Sequence, residues 1–286
     1  MATIVSVPGK IILSGEYGGR ILGHPSIVVP APFRLTASFI EGSFGVEWPE
    51  IEGRSDWTAY IRDILLLLAK KSGQKPKRIH IENQIPLGKG MGSSTALVIA
   101  LSRLFLSENC HDDALAIEDK VNPGHSGMDF AVIWRAAPIH FSVEKGAEPI
   151  KLDEKLLQGA LLIDTGAPNE TTPELVAWVK SRKDELHEAS EQIARCTQRI
   201  TEFVRLSGVE ARQILPEVIH DHHRAQCALG IVPESVKALI ARIEAAGGAA
   251  KVIGAGGRSG GAGMVLALGI GENLIKEMNL PYRRLS

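Results

Sequence analysis

The chain is poor in cysteine and carries almost no net charge. Its three thiols, Cys110, Cys196 and Cys227, are odd in number and lack metal-ligand spacing. That argues against a disulfide framework or a structural metal centre, and it fits a reduced, cytoplasmic protein. Lys and Arg number 32 against 33 Asp and Glu, a net charge of -1. No global field therefore draws nucleic acid or an anionic membrane, and any anion must be met locally. Long apolar runs are also missing. The longest, around Ile64–Ala69, falls far short of the roughly 20 residues that a membrane span needs. No charged-then-apolar leader precedes the first strand-like segment. No low-complexity linker interrupts the 286 residues, so two modest domains meeting at a soft boundary near residue 155 are expected.

What the chain does have is glycine in special places. ATIVSV and KIILSGEY read as β-rich segments separated by Pro-Gly, and IVVPAPFRLTASFI continues in that style. DWTAYIRDILLLLAKKSG has helical periodicity with Asp at its head and Gly at its end. The strand RIHIENQIP then delivers the chain to PLGKGMGSST and the apolar helical run ALVIALSRLFL. FAVIWRAAPIHFSVEKG reads as β-type and GALLIDTG as a further strand. Beyond Pro173 the chain is mainly helical, through ELVAWVKSRKDELHEASEQIARCTQRITEFVRLSG, EARQILPEVIHDHHRAQCALG and PESVKALIARIEAAGG. AKVIGAGGRSGGAGMVLALG then reads as strand, glycine loop, strand.

A glycine turn feeding a helix lets backbone N–H groups close on an anion, and the helix N-terminus adds about half a positive charge. Phosphate is the natural guest of PLGKGMGSST. The competing reading is a tight turn with Ser93, Ser94 or Thr95 capping the helix. The stretch is not the usual P-loop, since Gly92 stands where that motif has lysine. Nor is it a dinucleotide fingerprint, because no acidic residue closes a following strand. Three other segments carry chemistry. PGKIILSGEY buries Lys10 and Glu16 among apolar residues, which is costly unless they are paired. NPGHSGMD presents Asp129 at the end of a small-residue loop, and residues 254–263 form a second glycine cluster.

Taken in order, these segments resemble the GHMP kinase superfamily of galactokinase, homoserine kinase, mevalonate kinase and phosphomevalonate kinase, and the likeness spans nearly the whole chain. PGKIILSGEY is similar to the family's first motif, PLGKGMGSST to its P-x-x-x-G-L-G-S-S-A phosphate loop, and KVIGAGGRSGG to its glycine-rich third motif. The mevalonate kinase branch gives the best likeness. NPGHSGMDFAV is similar to its G-x-P-S-G-[IV]-D-x-A-V segment and DHHRAQCALGI to its N-H-x-L-L-x-x-L-G-V helix. DTGAPNETTPELVAWV is similar to the strand and loop leading into L-V-A-x-V.

The resemblance implies an α+β protein of two domains, ribosomal S5 domain 2-like over residues 1–155 and ferredoxin-like with extra helices over 156–286. It implies transfer of the γ-phosphoryl group of ATP, with Mg2+, to the C5 hydroxyl of mevalonate in isoprenoid precursor synthesis. Relatives are often homodimers, and neither nucleic acid nor membrane is an expected partner. Two alternatives stand beside it. One is phosphomevalonate kinase or another member with a different acceptor, since the first motif of phosphomevalonate kinases also often reads G-E-Y. The other is a non-catalytic nucleotide-binding regulator, which the altered loops prompt and the retention of Lys10 and Asp129 opposes.

Carried over by matching residue, Asp129 is the catalytic base or hydroxyl-orienting carboxylate and Lys10 its partner. Pro86, Gly88, Lys89, Gly90, Met91, Gly92, Ser93, Ser94 and Thr95 form the phosphate loop. Ser94 and Glu118 hold the metal, with Asp119 an adjacent rival to Glu118. Glu16, Tyr17, His24, Ser126, Thr171, Thr172 and Gly256 are the acceptor-side candidates, with Thr171 and Thr172 equally able to cap the following helix. Glu16 is as readily a structural partner of Lys10 or of backbone as a ligand contact. His220, His222 and His223 are expected on a polar helix face, not as metal ligands. Departures from the family pattern are Lys89 and Met91 in the phosphate loop and Arg258 and Ser259 in the third motif, where Arg258 either clamps a phosphate or faces solvent. Only SENCHDDALAI separates the phosphate-loop helix from Glu118, and LPYRRLS leaves little room for the element expected after the third motif.

Overall fold

The computed structural model describes residues 4–73 and 77–285. The β-rich opening folds as one strand, β1 (Ile4–Ser14), with Pro8 and Gly9 buried inside it instead of dividing two strands. A π-helical turn at Gly18–Leu22 leads into β2 (Ser26–Ile40). These two strands decide how the chain divides. One compact unit comprises Met1–Lys10, Pro30–Leu87 and Gly92–Ala136, and the other Ile11–Val29, Gly88–Met91 and Ala137–Ser286. The units interleave where a single boundary near residue 155 was expected. The physical reason is that β1 and β2 are each long enough to contribute to both, and that Ile139–Phe141 pair with the second unit's portion of β2.

The first unit adds β3 (Gly45–Glu47), α1 (Ser55–Ser72), β4 (Arg78–Asn83), α2 (Ser93–Phe105), α3 (His111–Val121) and α4 (Met128–Arg135). β4 runs antiparallel to the Leu35–Ile40 portion of β2 and parallel to β3. The alternation read in RIHIENQIP is the pleat itself, with Ile79, Ile81 and Ile85 buried. In α2 every residue from Thr95 to Ser102 is buried, so the helix is apolar all round and packs against α1, α3 and α4.

FAVIW is not a strand. Gly127 (φ 88) and Ala136 (φ 50) bracket it as left-handed helix ends, and Phe130 and Ile133 turn inward at i, i+3 spacing. Phe130 also stacks on Trp134 at i+4 with centroids 5.7 Å apart. Tertiary burial of one helical stripe outweighs the local β preference of these aromatic and branched residues.

In the second unit β5 (Ile139–Ser142) pairs with Ser26–Val28 of β2, and β6 (Gly146–Pro149) pairs with β5. The remainder is β7 (Leu161–Asp164), α5 (Thr172–Ser181), α6 (His187–Glu202), α7 (Gly208–Leu229), α8 (Glu234–Ala245), β8 (Ala249–Val252), β9 (Met264–Leu268), α9 (Glu272–Glu277) and β10 (Tyr282–Arg284). These four strands form an antiparallel sheet in the order β10-β7-β9-β8. That is the ferredoxin-like order, elaborated by extra helices between β7 and β8. Ile163, Val252, Val265 and Ala267 meet Ile240 and Ile243 of α8 in its core. LPYRRLS does supply a final element, since Tyr282–Arg284 closes the sheet on β7 after the short α9.

α2 follows directly on the glycine turn and is the most buried helix of the first unit. Leu97 is fully buried, so Leu97→Ala should cost about 2–5 kcal/mol of stability, read as a lower urea midpoint with unchanged slope.

Candidate active site

The start of α2 is capped by backbone geometry alone. Gly92 is its N-cap at φ 75, and no side chain supplies a cap hydrogen bond. The hydroxyls that follow are thus not spent on capping, and the amides of the first turn keep their dipole directed outward. A Cβ at Gly92 would lie 2.8 Å from Ile133 Cδ1, 3.1 Å from Lys10 Cγ and 3.7 Å from Asp129 Oδ2. Glycine suits the position because φ is positive and because Ile133 and the stem of Lys10 pass directly against the turn.

Those two residues meet. Lys10 Nζ is 3.2 Å from Asp129 Oδ1, with the lysine side chain 4% and the aspartate 35% exposed. β1 supplies the lysine and the first turn of α4 supplies the aspartate. Neither a snorkelling lysine nor a capping aspartate describes this pair.

Glu118 lies on the buried face of α3, where its Oε1 accepts a 2.7 Å hydrogen bond from Thr95 Oγ1 and its Oε2 has no hydrogen-bond partner. Burial raises its pKa, against the opposing effect of the Thr95 bond. Asp119, the rival, is exposed and pairs with His125 Nε2 at 2.8 Å. Ser94 is hydrogen-bonded to Tyr60, whose hydroxyl also receives Asn122 Nδ2 at 2.7 Å. The hydroxyl that touches Glu118 is therefore that of Thr95. Among the described residues no group of three or more His, Cys, Asp or Glu could hold a metal on protein ligands alone. An orphaned buried carboxylate oxygen with hydroxyls close by does suit a hard cation that takes its other ligands from phosphate and water.

In the second unit Gly88–Met91 is seated on the glycine-rich β8–β9 connection. A Cβ on Gly90 would fall 3.0 Å from the carbonyl oxygen of Ile253, and one on Gly254 would fall 3.0 Å from Gly90 Cα. The two backbones lie against each other with no side chain between them, and both residues have positive φ (78 and 88). This is why the second cluster holds more glycine than a hairpin requires. Met91 is fully buried, so its side chain anchors the turn and leaves only backbone to face a ligand. Lys89 Nζ pairs with Asp164 Oδ1 at 2.8 Å.

Glu16 is buried with two partners that its own segment does not reveal. Its Oε1 accepts a short hydrogen bond from Lys251 Nζ, and its Oε2 is 3.0 Å from His222 Nε2. Lys251 also donates to the carbonyl of Ile12 at 3.1 Å. Burial alone would raise the pKa of Glu16, yet Lys251 and His222 together bring it down to about 2. Burial holds His222 below its ordinary value despite the carboxylate. The polar-face expectation thus fails for His222 and His223, both of which are buried, and holds only for the half-buried His220, which meets Glu244 at 2.6 Å. An i, i+4 apolar stripe running through Ile219 and His223 toward Cys227 was the signal available for an inward-facing turn of α7.

Tyr17, at φ 61, donates its hydroxyl to the carbonyl of Ala255. His24 is buried with Nδ1 3.2 Å from the Pro25 carbonyl and Nε2 unpartnered, and burial lowers its pKa. In the first unit, Ser126 Oγ accepts from Met128 N at 3.3 Å, just ahead of Asp129.

Thr171 is the N-cap of α5, in a reciprocal box with Glu174, and the exposed Thr172 begins that helix. Gly256 packs on the Ile231 carbonyl, where a Cβ would come within 2.2 Å. Arg258 stacks over Trp178, 4.7 Å from the ring centroid, while its backbone N–H and that of Ser259 bond to Glu170. Arg258 is exposed, as the second of its two expected placements has it, with its guanidinium laid on that ring.

Residues 59–135 match the family model described as the GHMP kinases N terminal domain. The mevalonate kinase of Thermococcus gammatolerans is 27% identical over 90% of this chain and 87% of its own length. The crystal structure of Methanococcus jannaschii mevalonate kinase superposes with a TM-score of 0.78 at 19% identity, covering 100% of this chain and 99% of the other. That of L. major mevalonate kinase in complex with R-mevalonate gives 0.77 at 16% identity, covering 100% and 97%.

The Glu16 cluster makes a stability prediction. Glu16 has a lower pKa folded (about 2) than unfolded (4.5), so its contribution is complete above pH 4.5 and is lost as the pH falls toward 2. His222 is likewise depressed from 6.5, so acidification through that value already begins to destabilise. Lys251→Met leaves Glu16 buried without its main counter-charge and should cost about 3–5 kcal/mol in chemical denaturation at neutral pH.

Proposed function

We propose that this chain, which belongs with the GHMP kinases and is most like the mevalonate kinases, transfers the γ-phosphoryl group of ATP to the C5 hydroxyl of mevalonate. The observation that carries the reading is the Lys10–Asp129 pair set against Gly92 at the start of α2. An alcohol to be phosphorylated needs a carboxylate to orient its O–H, a cation to steady the oxygen as it gains charge, and a phosphorus held in line. Asp129 accepts the hydroxyl hydrogen. Lys10 fixes the carboxylate and faces the developing charge. The backbone at the start of α2 faces phosphate oxygens. Because the alcohol's proton leaves late in a loose transition state, Asp129 contributes more by orientation than by basicity.

Magnesium belongs to the proposal through Glu118 with its unpartnered oxygen, together with Ser94 or the neighbouring Thr95. When bound it offsets the charge of the phosphates. Glu16 is read as the fastening of the first motif, and Tyr17, His24 and Ser126 remain proposed acceptor contacts. Thr171 and Thr172 stay in that set at the start of α5, and Gly256 supports the third motif's backbone. A cytoplasmic, homodimeric enzyme with neither nucleic acid nor membrane as partner completes the reading, in keeping with a net charge of -1.

Coupled ADP release with an acceptor panel tests it. Turnover on mevalonate is expected. Turnover on phosphomevalonate alone would make the chain the neighbouring kinase, and nucleotide binding without any transfer would make it a regulator. Asp129→Asn should lower kcat by about 10²–10⁴-fold while nucleotide affinity stays within about twofold. Glu118→Gln should raise the magnesium needed for half-maximal rate about tenfold, the equivalent of ~1.4 kcal/mol for one lost charged ligand.

A further inference from the structure

We propose that Lys89 is a positioning residue that sets the nucleotide affinity of the phosphate loop by neutralising Asp164. This deepens the reading of that loop as ATP-binding and rests on it. Lys89 stands where the phosphate loops that this one resembles carry a smaller residue, and its ammonium folds back onto Asp164, the last residue of β7, at 2.8 Å. The carboxylate cannot turn away to make room for an anion. The oxygen that takes the lysine, Oδ1, also accepts from the backbone N–H of Gly166 at 2.9 Å, so its position is set by the chain.

Lys89 is equally fixed at its own backbone. A Cβ on Gly263 would lie 2.9 Å from the Lys89 carbonyl oxygen, and the next residue, Gly90, is pressed against Ile253 and Gly254. The loop is thus clamped beside a carboxylate, with the two side chains only 20% and 28% exposed, where water and salt screen incompletely. Paired, the site is neutral and the loop offers amides to a triphosphate. Unpaired, the same loop sets a carboxylate next to the most highly charged part of the nucleotide, a like-charge juxtaposition that is costly. The lysine is a substitution that a rigid Asp164 makes necessary.

The test is equilibrium binding of a non-hydrolysable ATP analogue with Mg2+ to the full chain, without acceptor, by calorimetry at low and at 0.5 M salt. Lys89→Met, Asp164→Asn and the double variant are compared, with thermal midpoints to confirm that each is folded. Lys89→Met should weaken binding about tenfold or more at low salt, with the loss shrinking at high salt. Asp164→Asn should bind within about threefold of wild type, and the double variant should regain wild-type affinity to within about threefold. A double variant as weak as Lys89→Met would mean that the ammonium touches phosphate itself or that the tie is needed only for shape. That result overturns the proposal, as does a Lys89→Met that binds normally. A wild type that binds no nucleotide overturns the reading of the loop, and this proposal with it.

Discussion

A lysine removed from water to 4% exposure must have a counter-charge, and in this chain the need is met by Asp129. Much of the first unit is arranged around that requirement. β1 carries Lys10 inward, α4 begins where Asp129 can meet it, and Gly92 leaves out the one carbon that would press on Ile133 and the stem of Lys10. The same contact places a carboxylate and an ammonium beside the start of a helix whose N-cap, Gly92, has no side chain. Structural necessity and chemical use coincide here. The pair is costly to bury unless made, and once made it has the polarity that a phosphoryl acceptor requires.

The second unit solves a parallel problem with backbone. Gly90 and Gly254 lie against each other, and Gly263 abuts the carbonyl of Lys89, so the Gly88–Met91 turn rests on the β8–β9 connection. Two acids of this unit are fastened by side chains instead. Glu16 is held by Lys251 from β8 and His222 from α7, and Asp164 is held by Lys89. Both of these acids are matched by bases that come from distant parts of the chain.

How much of this the sequence disclosed follows from the range of each interaction. Period-two alternation revealed β4, and helical periodicity with end signals revealed α1, α7 and α8, because those signals are local. Lys10 and Asp129 could be named, and their pairing expected, from the motifs around them, and the apolar setting of Lys10 called for a partner. FAVIW was misjudged because its residues favour strands locally, while the burial that makes it a helix comes from packing that the segment does not encode. Glu16's partners were invisible, since Lys251 and His222 are more than 200 positions away in the chain. The histidines of α7 were assigned to a polar face by residue type, although the apolar neighbours on their stripe argued otherwise. The division of the chain was likewise hidden, because nothing in β1 or β2 marks where a long strand passes from one packing environment to the next.

The central claim is that Asp129 and Lys10 together hold the hydroxyl that is phosphorylated. It is tested most directly by a crystal structure with mevalonate and a non-hydrolysable ATP analogue. The account predicts the C5 hydroxyl within hydrogen-bond reach of the Asp129 carboxylate, about 2.6–3.2 Å, with Lys10 still paired to that carboxylate and the terminal phosphate at the first amides of α2. A hydroxyl held elsewhere, with the Lys10–Asp129 pair facing neither acceptor nor phosphate, would contradict it.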